Sequence, residues 1–254
     1  MDKQVMTRNA EGQEAADHVV VEEPLQITVD GRPVAVTMRT PGHDEELALG
    51  FLRTEGVITA ADQVRKIDLE AKDNHALVFL ADGVEVNFSR LTRHVFGASS
   101  CGLCGKATIE AVREQLPPLR DPASFPREAL LRAPELMARE QSTFARTGGL
   151  HAAGIFGSDG TMHIVREDIG RHNAVDKVTG WALRSGTDLS RCFLLVSGRV
   201  SFEIMQKALA AGIPLVAAIS APSSLAIEFA KESNQGLVGF LRPPGFKLYA
   251  GRIE

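Results

Sequence analysis

The sequence predicts an α/β fold with a smaller, mostly β segment at its N-terminal end. Three observations carry this. The second half alternates short all-apolar strands with helices, as in "CFLLVSGRVSFEIMQKALAAG" and "IPLVAAISAPSSLAIEFAKESN". The first 90 residues hold Asp-Gly turns between alternating strands and a single helix. A proline-rich tract separates the two halves. All-apolar strands joined by helices imply a sheet covered on both faces.

In chain order, residues 1–18 are polar and acidic, and they read as a disordered leader. They show no apolar stretch after a basic start, so no export signal is predicted. Residues 19–98 form the predicted β-rich domain. There "LQITV" and "VAVTM" flank Asp30-Gly31, a hairpin turn signal. The stretch "HDEELALGFLRTEGVI" is a helix with acids in its first turn, where the helix dipole favours them. "ALVFLADGVEVNF" predicts a second hairpin, turning at Asp82-Gly83.

Residues 99–133 are predicted as a cysteine loop, a helix and a linker. Ile109, Val112 and Leu116 give the helix its apolar side before Pro117-Pro118 stop it. Residues 134–254 form the predicted α/β domain. "PELMAREQSTFART" is a helix, "GGLHAAGIFGSDGTMHIVRED" a hairpin and "RHNAVDKVTGWALRSG" an amphipathic helix. The two β-α units follow, and the strand "LVGFL" leads into "RPPGFKLYAGR".

The totals exclude several function classes. A net charge of -4 argues against a general nucleic-acid binder, which is normally basic. No apolar run is long enough to span a bilayer. Three cysteines make no disulfide framework, so the expectation is a cytoplasmic protein with reduced thiols.

Candidate ligand residues collect where strands end. Ser197-Gly198-Arg199 and Ser220-Ala221-Pro222-Ser223-Ser224 each close a strand and open a helix. In open α/β sheets the ligand crevice lies outside the carboxyl ends of the strands. Helix N-termini there offer N–H groups to anions, and Arg199 adds a fork-shaped cation. Ser201 and Ser224 also read as helix caps, which is compatible with ligand contact. The densest polar run is "REDIGRHNAVDK", residues 166–177. His172 and Asp176 are i, i+4 partners there and suggest a ligand-facing corner. His151, in the tight glycine-rich entry "TGGLHAAG", is the kind of lone histidine that is more often a satisfied structural residue than a catalyst, and no role is assigned to it.

The stretch "SSCGLCGK" places Cys101 and Cys104 at the start of a helix, each followed by glycine. Structural zinc needs four ligands, and only one CxxC pair is present. A deaminase-type zinc site wants H-x-E and P-C-x-x-C. "HDE" at 43–45 matches the first by letter, but serine precedes Cys101. A redox pair of the thioredoxin kind wants a strand before the cysteines, and "LTRHVFGASS" is a poor one. The helix start and Lys106 lower a thiol pKa toward the reactive thiolate. The pair therefore reads as reactive, suited to holding a sulfur as a persulfide.

Several blocks, in order, resemble the FdhD-type formate dehydrogenase accessory sulfurtransferases: "PGHDEELALGFLRTEGVI", "FGASSCGLCGK", "TGGLHAAG", "REDIGRHNAVDKV", "SGRVSFEIMQKA", "SAPSSLAIEFA" and "LVGFLRPPGFKLYAG". The resemblance implies a cytidine-deaminase-like three-layer α/β sandwich without zinc, and a homodimer. It implies that sulfur arrives from a cysteine desulfurase as a cysteine persulfide. The sulfur would then be placed on the molybdenum of the bis-molybdopterin guanine dinucleotide cofactor (Mo-bis-MGD), for formate dehydrogenase.

By position, Cys101 matches the persulfide carrier and Cys104 its partner. Phe240, Leu241, Arg242, Pro243, Pro244 and Gly245 match the cofactor-binding segment. Ser197, Arg199, Ser220, Ser223 and His172 would add N–H groups, hydroxyls and cations for its diphosphates and guanines. Two other readings remain: a chaperone that binds the cofactor without chemistry, and a zinc-dependent nucleobase hydrolase. No resident metal, membrane or nucleic-acid partner is expected.

Overall fold

The computed structural model describes residues 1–88 and 116–254. Cys101, Cys104 and the helix expected after them lie outside the described residues.

The chain opens with a hairpin, β1 (Asp2–Arg8) and β2 (Glu14–Val20), in place of the expected leader. Its order comes from the strand ladder, the turn and ion pairs such as Arg8–Glu14 and Arg146–Asp2 rather than from core burial, which is what composition measures. The Asn9 carboxamide oxygen accepts from the N–H of Glu11 and Gln13 in the turn. Arg146 clamps Asp2 through two bonds of 3.0 and 2.8 Å. That guanidinium holds the Asp2 carboxyl well below the usual carboxylate range.

A four-stranded sheet follows, from β3 (Glu23–Val29), β4 (Arg32–Arg39), β5 (Val64–Asp68) and β6 (His75–Leu80), in the order β4-β3-β6-β5. The β3-β4 turn is the expected one. Asp30 and Gly31 both have positive φ, 45° and 79°, as a two-residue hairpin turn needs. The second expected hairpin does not form. Strand β6 runs parallel to β3 and antiparallel to β5, so both its edges are filled. Val84, Val86 and Phe88 pack against the apolar core instead.

Helix α1 (Asp44–Thr54) covers this sheet with Leu47, Ala48, Leu49 and Leu52. Its first-turn acids also have tertiary partners. Asp44 and Glu23 pair with Arg39, and Glu46 takes two bonds from Arg166, of 2.6 and 2.8 Å.

The larger sheet has six strands: β7 (His151–Gly157), β8 (Met162–Asp168), β9 (Cys192–Val196), β10 (Leu215–Ala218), β11 (Gly236–Arg242) and β12 (Gly245–Ala250). The order is β12-β11-β10-β9-β7-β8. Only β9, β10 and β11 are parallel; the flanking strands are antiparallel, so the sheet is mixed.

Alternation assigns its two faces. Cys192, Leu194 and Val196 pack under α4 (Arg171–Ser185), α5 (Phe202–Ala211) and α6 (Ser224–Glu232). Phe193 and Leu195 point the other way, against α2 (Arg127–Glu140). A short helix, α3 (Ser142–Thr147), connects α2 to β7.

Helix α2 begins inside the tract expected to be a linker and carries Pro134 in its interior. Pro126, extended at the cap position, sacrifices no helical bond there. Pro134 does sacrifice one, a defect that costs about 3 kcal/mol. Ala129, Leu130, Ala133 and Met137 form a buried stripe on the sheet, and that burial offsets it.

Helix α4 is not amphipathic: every residue from Asn173 to Gly180 is buried. It lies between the large sheet and α1. A Cβ at Gly180 would stand 1.9 Å from the carbonyl oxygen of Glu46, and one at Gly50 would stand 1.7 Å from that of Asp176. The two helices therefore touch backbone to backbone, which only glycine permits.

Candidate functional site

The carboxyl ends of β8, β9, β10 and β11 share one edge of the large sheet, together with the start of β7. Helices α4, α5 and α6 begin at this edge. Two backbone bonds join its loops, from Val200 N–H to the Ala221 oxygen and from Ser223 N–H to the Val200 oxygen. Every cofactor-binding residue expected from the sequence lies along this edge.

At the β8-β7-β9 end, Ser197 Oγ accepts from the N–H of Ala152 at 2.9 Å, tying β9 to β7. Arg199 is exposed beside it. His151 opens β7 and lies against Gly198, whose missing Cβ makes room for the ring: a Cβ would sit 3.1 Å from Nδ1. Burial, with Arg171, His172 and Arg199 nearby, pushes the His151 pKa down, so the imidazole is neutral at pH 7. His172 Nε2 donates to Glu203 at 2.9 Å, and that bond chiefly lowers the Glu203 pKa. Ser201 Oγ lies 3.4 Å from the same carboxylate.

Among the described residues, neither Arg171 nor Arg199 forms a direct ion pair, although Arg171 lies close enough to Glu203 to help lower that carboxyl's pKa, and Arg171 Nε is buried with no hydrogen-bond acceptor. A buried donor without an acceptor is costly, and here it sits beside a second free cation. The arrangement suits an anion with several oxygens.

At the β10-β11 end, Ser220 contributes its backbone oxygen, which accepts from Phe240 N–H at 3.0 Å. Ser223 Oγ accepts from Ala226 N–H and caps α6, so Ser223 rather than Ser224 is the cap. Ser201 holds the cap position of α5 but makes no capping bond. In the segment 240–245, Phe240 is exposed with φ of 51°. Arg242 Nε donates to the Ile219 oxygen, and Arg127 donates to the Pro244 oxygen. Pro243 and Pro244 form the exposed β11-β12 turn through a cis peptide, and Gly245 opens β12. Leu241 is fully buried in the core on the α2 side, which leaves only its backbone for a ligand.

Only part of the polar run 166–177 faces the edge as its charges suggested; most of its charges have internal partners. Arg166 pairs with Glu46, and Glu167 accepts from the N–H of Thr143 and Phe144 at the start of α3. Asp168 accepts from Gly170 N–H, Asn173 Nδ2, Thr40 N–H and Lys177 Nζ, the last at 2.7 Å with both side chains fully buried. Asp176 does not face a ligand with His172. It is buried against Lys207 and Thr54. Only Arg171 and His172 of this run reach the edge. In sequence Arg171 is one charge among several in the run 166–177, and His151 reads more as a structural residue than as a site residue. Each takes its place from tertiary neighbours.

Fold and edge together define an α/β protein with cationic side chains along the carboxyl edge of its large sheet. The chain belongs to the FdhD/NarQ family, whose sequence profile matches residues 20–254. It is 48% identical to the "Sulfur carrier protein FdhD" of Streptomyces avermitilis, over 92% of this chain and 88% of that protein. Its identity to the protein of the same name from Mycobacterium tuberculosis is 50%, over 91% and 89%. The fold also matches a crystal structure described as a formate dehydrogenase accessory protein from Desulfotalea psychrophila. That match has a TM-score of 0.79 and 25% identity, over 99% of this chain and 96% of that one.

Proposed function

We propose that this protein is a sulfurtransferase that accepts sulfur from a cysteine desulfurase, carries it as a persulfide on Cys101, and delivers it to the molybdenum of Mo-bis-MGD for formate dehydrogenase. Family membership supports the sulfur-carrier role, because the relatives bear that name and the CxxC stretch is present here. One structural observation supports the cofactor as cargo: at the carboxyl edge Arg171 keeps a buried Nε with no acceptor, and the exposed Arg199 stands close to the same His151. A nucleotide diphosphate supplies the oxygens these donors lack. The fold is read as cytidine-deaminase-like and the working unit as a homodimer, both on the resemblance.

The chemistry balances without an added oxidant. The Cys101 thiolate attacks the outer sulfur of the donor persulfide. A new S–S bond forms on Cys101 and the donor cysteine leaves as thiolate, while the outer sulfur keeps its proton. Attack by the Cys104 thiolate on the Cys101 sulfur then releases hydrosulfide to the metal. The Cys101–Cys104 disulfide left behind is returned to thiols by a dithiol reductant.

The test is activation of a sulfur-depleted formate dehydrogenase by wild type, Cys101→Ala and Cys104→Ala. Loss of activation with Cys101→Ala, with cofactor binding intact, is expected. Full activation by both variants would instead make the protein a chaperone that only delivers the cofactor.

A further inference from the structure

The β11-β12 hairpin presents an aromatic ring in an unusual way. Gly239 pairs with Lys247 and Arg242 with Gly245, so Phe240 and Leu241 stand opposite Phe246 alone, and β11 bulges by one residue. At the bulge Phe240 adopts φ of 51°, which a bulky residue rarely tolerates. The backbone is pinned there by the bond from Phe240 N–H to the Ser220 oxygen. The effect is to turn a large aromatic out of the core at the same edge as Arg199 and Arg242. Its exposure is 38%.

Lys247 has its ammonium 4.8 Å from the centroid of that ring. It is exposed and, among the described residues, forms no ion pair. Its cross-strand partner is Gly239, which has no side chain to intervene. A cation over an aromatic face is attracted by the ring quadrupole. Here that attraction fixes the rotamer of an exposed ring that core packing does not hold.

We propose that Lys247 is a positioning residue: it holds the Phe240 ring as a stacking platform for a guanine base of the cofactor. The proposal rests on the cofactor reading above and adds a residue beyond the segment 240–245. Strained, outward aromatics beside cations suit a ligand that joins a flat base to phosphates, because every base has a π-face to stack.

The test is calorimetric titration of the full chain with GDP, for wild type, Lys247→Gln, Lys247→Arg, Phe240→Leu and the double variant Phe240→Leu/Lys247→Gln. Melting temperatures are recorded for each. We expect Lys247→Gln to weaken binding about two- to fivefold at unchanged melting temperature, with Lys247→Arg restoring it. In the Phe240→Leu background, Lys247→Gln should have no further effect. Unaltered binding by Lys247→Gln overturns the proposal. So does an equal loss in the Phe240→Leu background, which would make Lys247 a direct phosphate ligand. If wild type fails to bind GDP while binding inorganic diphosphate, the guanine platform is wrong and the anion site stands. Binding of neither ligand overturns the cofactor reading together with this one.

Discussion

Replacing Lys207 with methionine removes a cation from the interior while keeping nearly the same volume. Its ammonium donates to Thr54 Oγ1 at 2.9 Å, Glu55 Oε1 at 3.1 Å and both oxygens of Asp176 at 3.0 Å. Burial alone would lower the Lys207 pKa, but Asp176 and Glu55 outweigh it and raise it. Without the ammonium, Asp176 keeps only the Thr54 hydroxyl, at 2.7 Å, for a fully buried carboxylate. Breaking a buried pair from one side costs about 3–5 kcal/mol. Urea unfolding at pH 7.5 should show a loss of that size for Lys207→Met.

The loss should shrink at pH 5. Burial raises the Asp176 pKa, and without Lys207 that push is opposed only by the Thr54 hydrogen bond. A folded-state pKa above the unfolded value means that the folded variant takes up a proton as pH falls, and so recovers stability relative to wild type. A loss under about 1 kcal/mol at pH 7.5, or an equal loss at both pH values, would refute the argument.

Two further predictions concern the edge. Arg171→Ala and Arg199→Ala should each weaken diphosphate binding by about tenfold, since each removes one charged donor; calorimetry showing unchanged binding for both would move the anion site elsewhere. Stability should also fall as pH drops below about 6.5, the ordinary histidine value, because burial depresses the pKa of both His151 and His43. The unfolded chain takes up protons there that the folded one refuses. Glu203, lowered chiefly by its His172 bond, adds a loss of the same sign below about 4.5. Urea midpoints that stay flat from pH 8 to pH 4 would contradict both assignments.

Much of the fold was legible in sequence because it follows local rules. Asp30-Gly31 dictates a hairpin turn, and the all-apolar "CFLLV" can only be a strand buried on both faces. Strand β5 was not legible: "VRKID" is short, charged and at an edge, and its pairing with β6 is a tertiary fact. The start of α2 was hidden by prolines whose cost is met only once Leu130 and Met137 reach the sheet.

The edge itself followed from the rule that ligands bind at the carboxyl ends of strands. The charged run 166–177 misled because charge counts say nothing about partners. Asp168, Asp176 and Lys177 are internal struts whose acceptors and donors lie up to 137 residues away. The platform at Phe240 needed the bulge to be seen, since "LVGFLR" alone reads as an ordinary strand.

The central claim is sulfur carriage on Cys101, and intact-mass spectrometry tests it most directly. The protein is incubated with a cysteine desulfurase and cysteine, as wild type and as Cys101→Ala. The account predicts a gain of about 32 Da on wild type, reversed by a thiol reductant and absent from Cys101→Ala, as for a reactive thiolate that accepts one sulfur. A wild type that gains no sulfur, or a Cys101→Ala variant that gains as much, would contradict it.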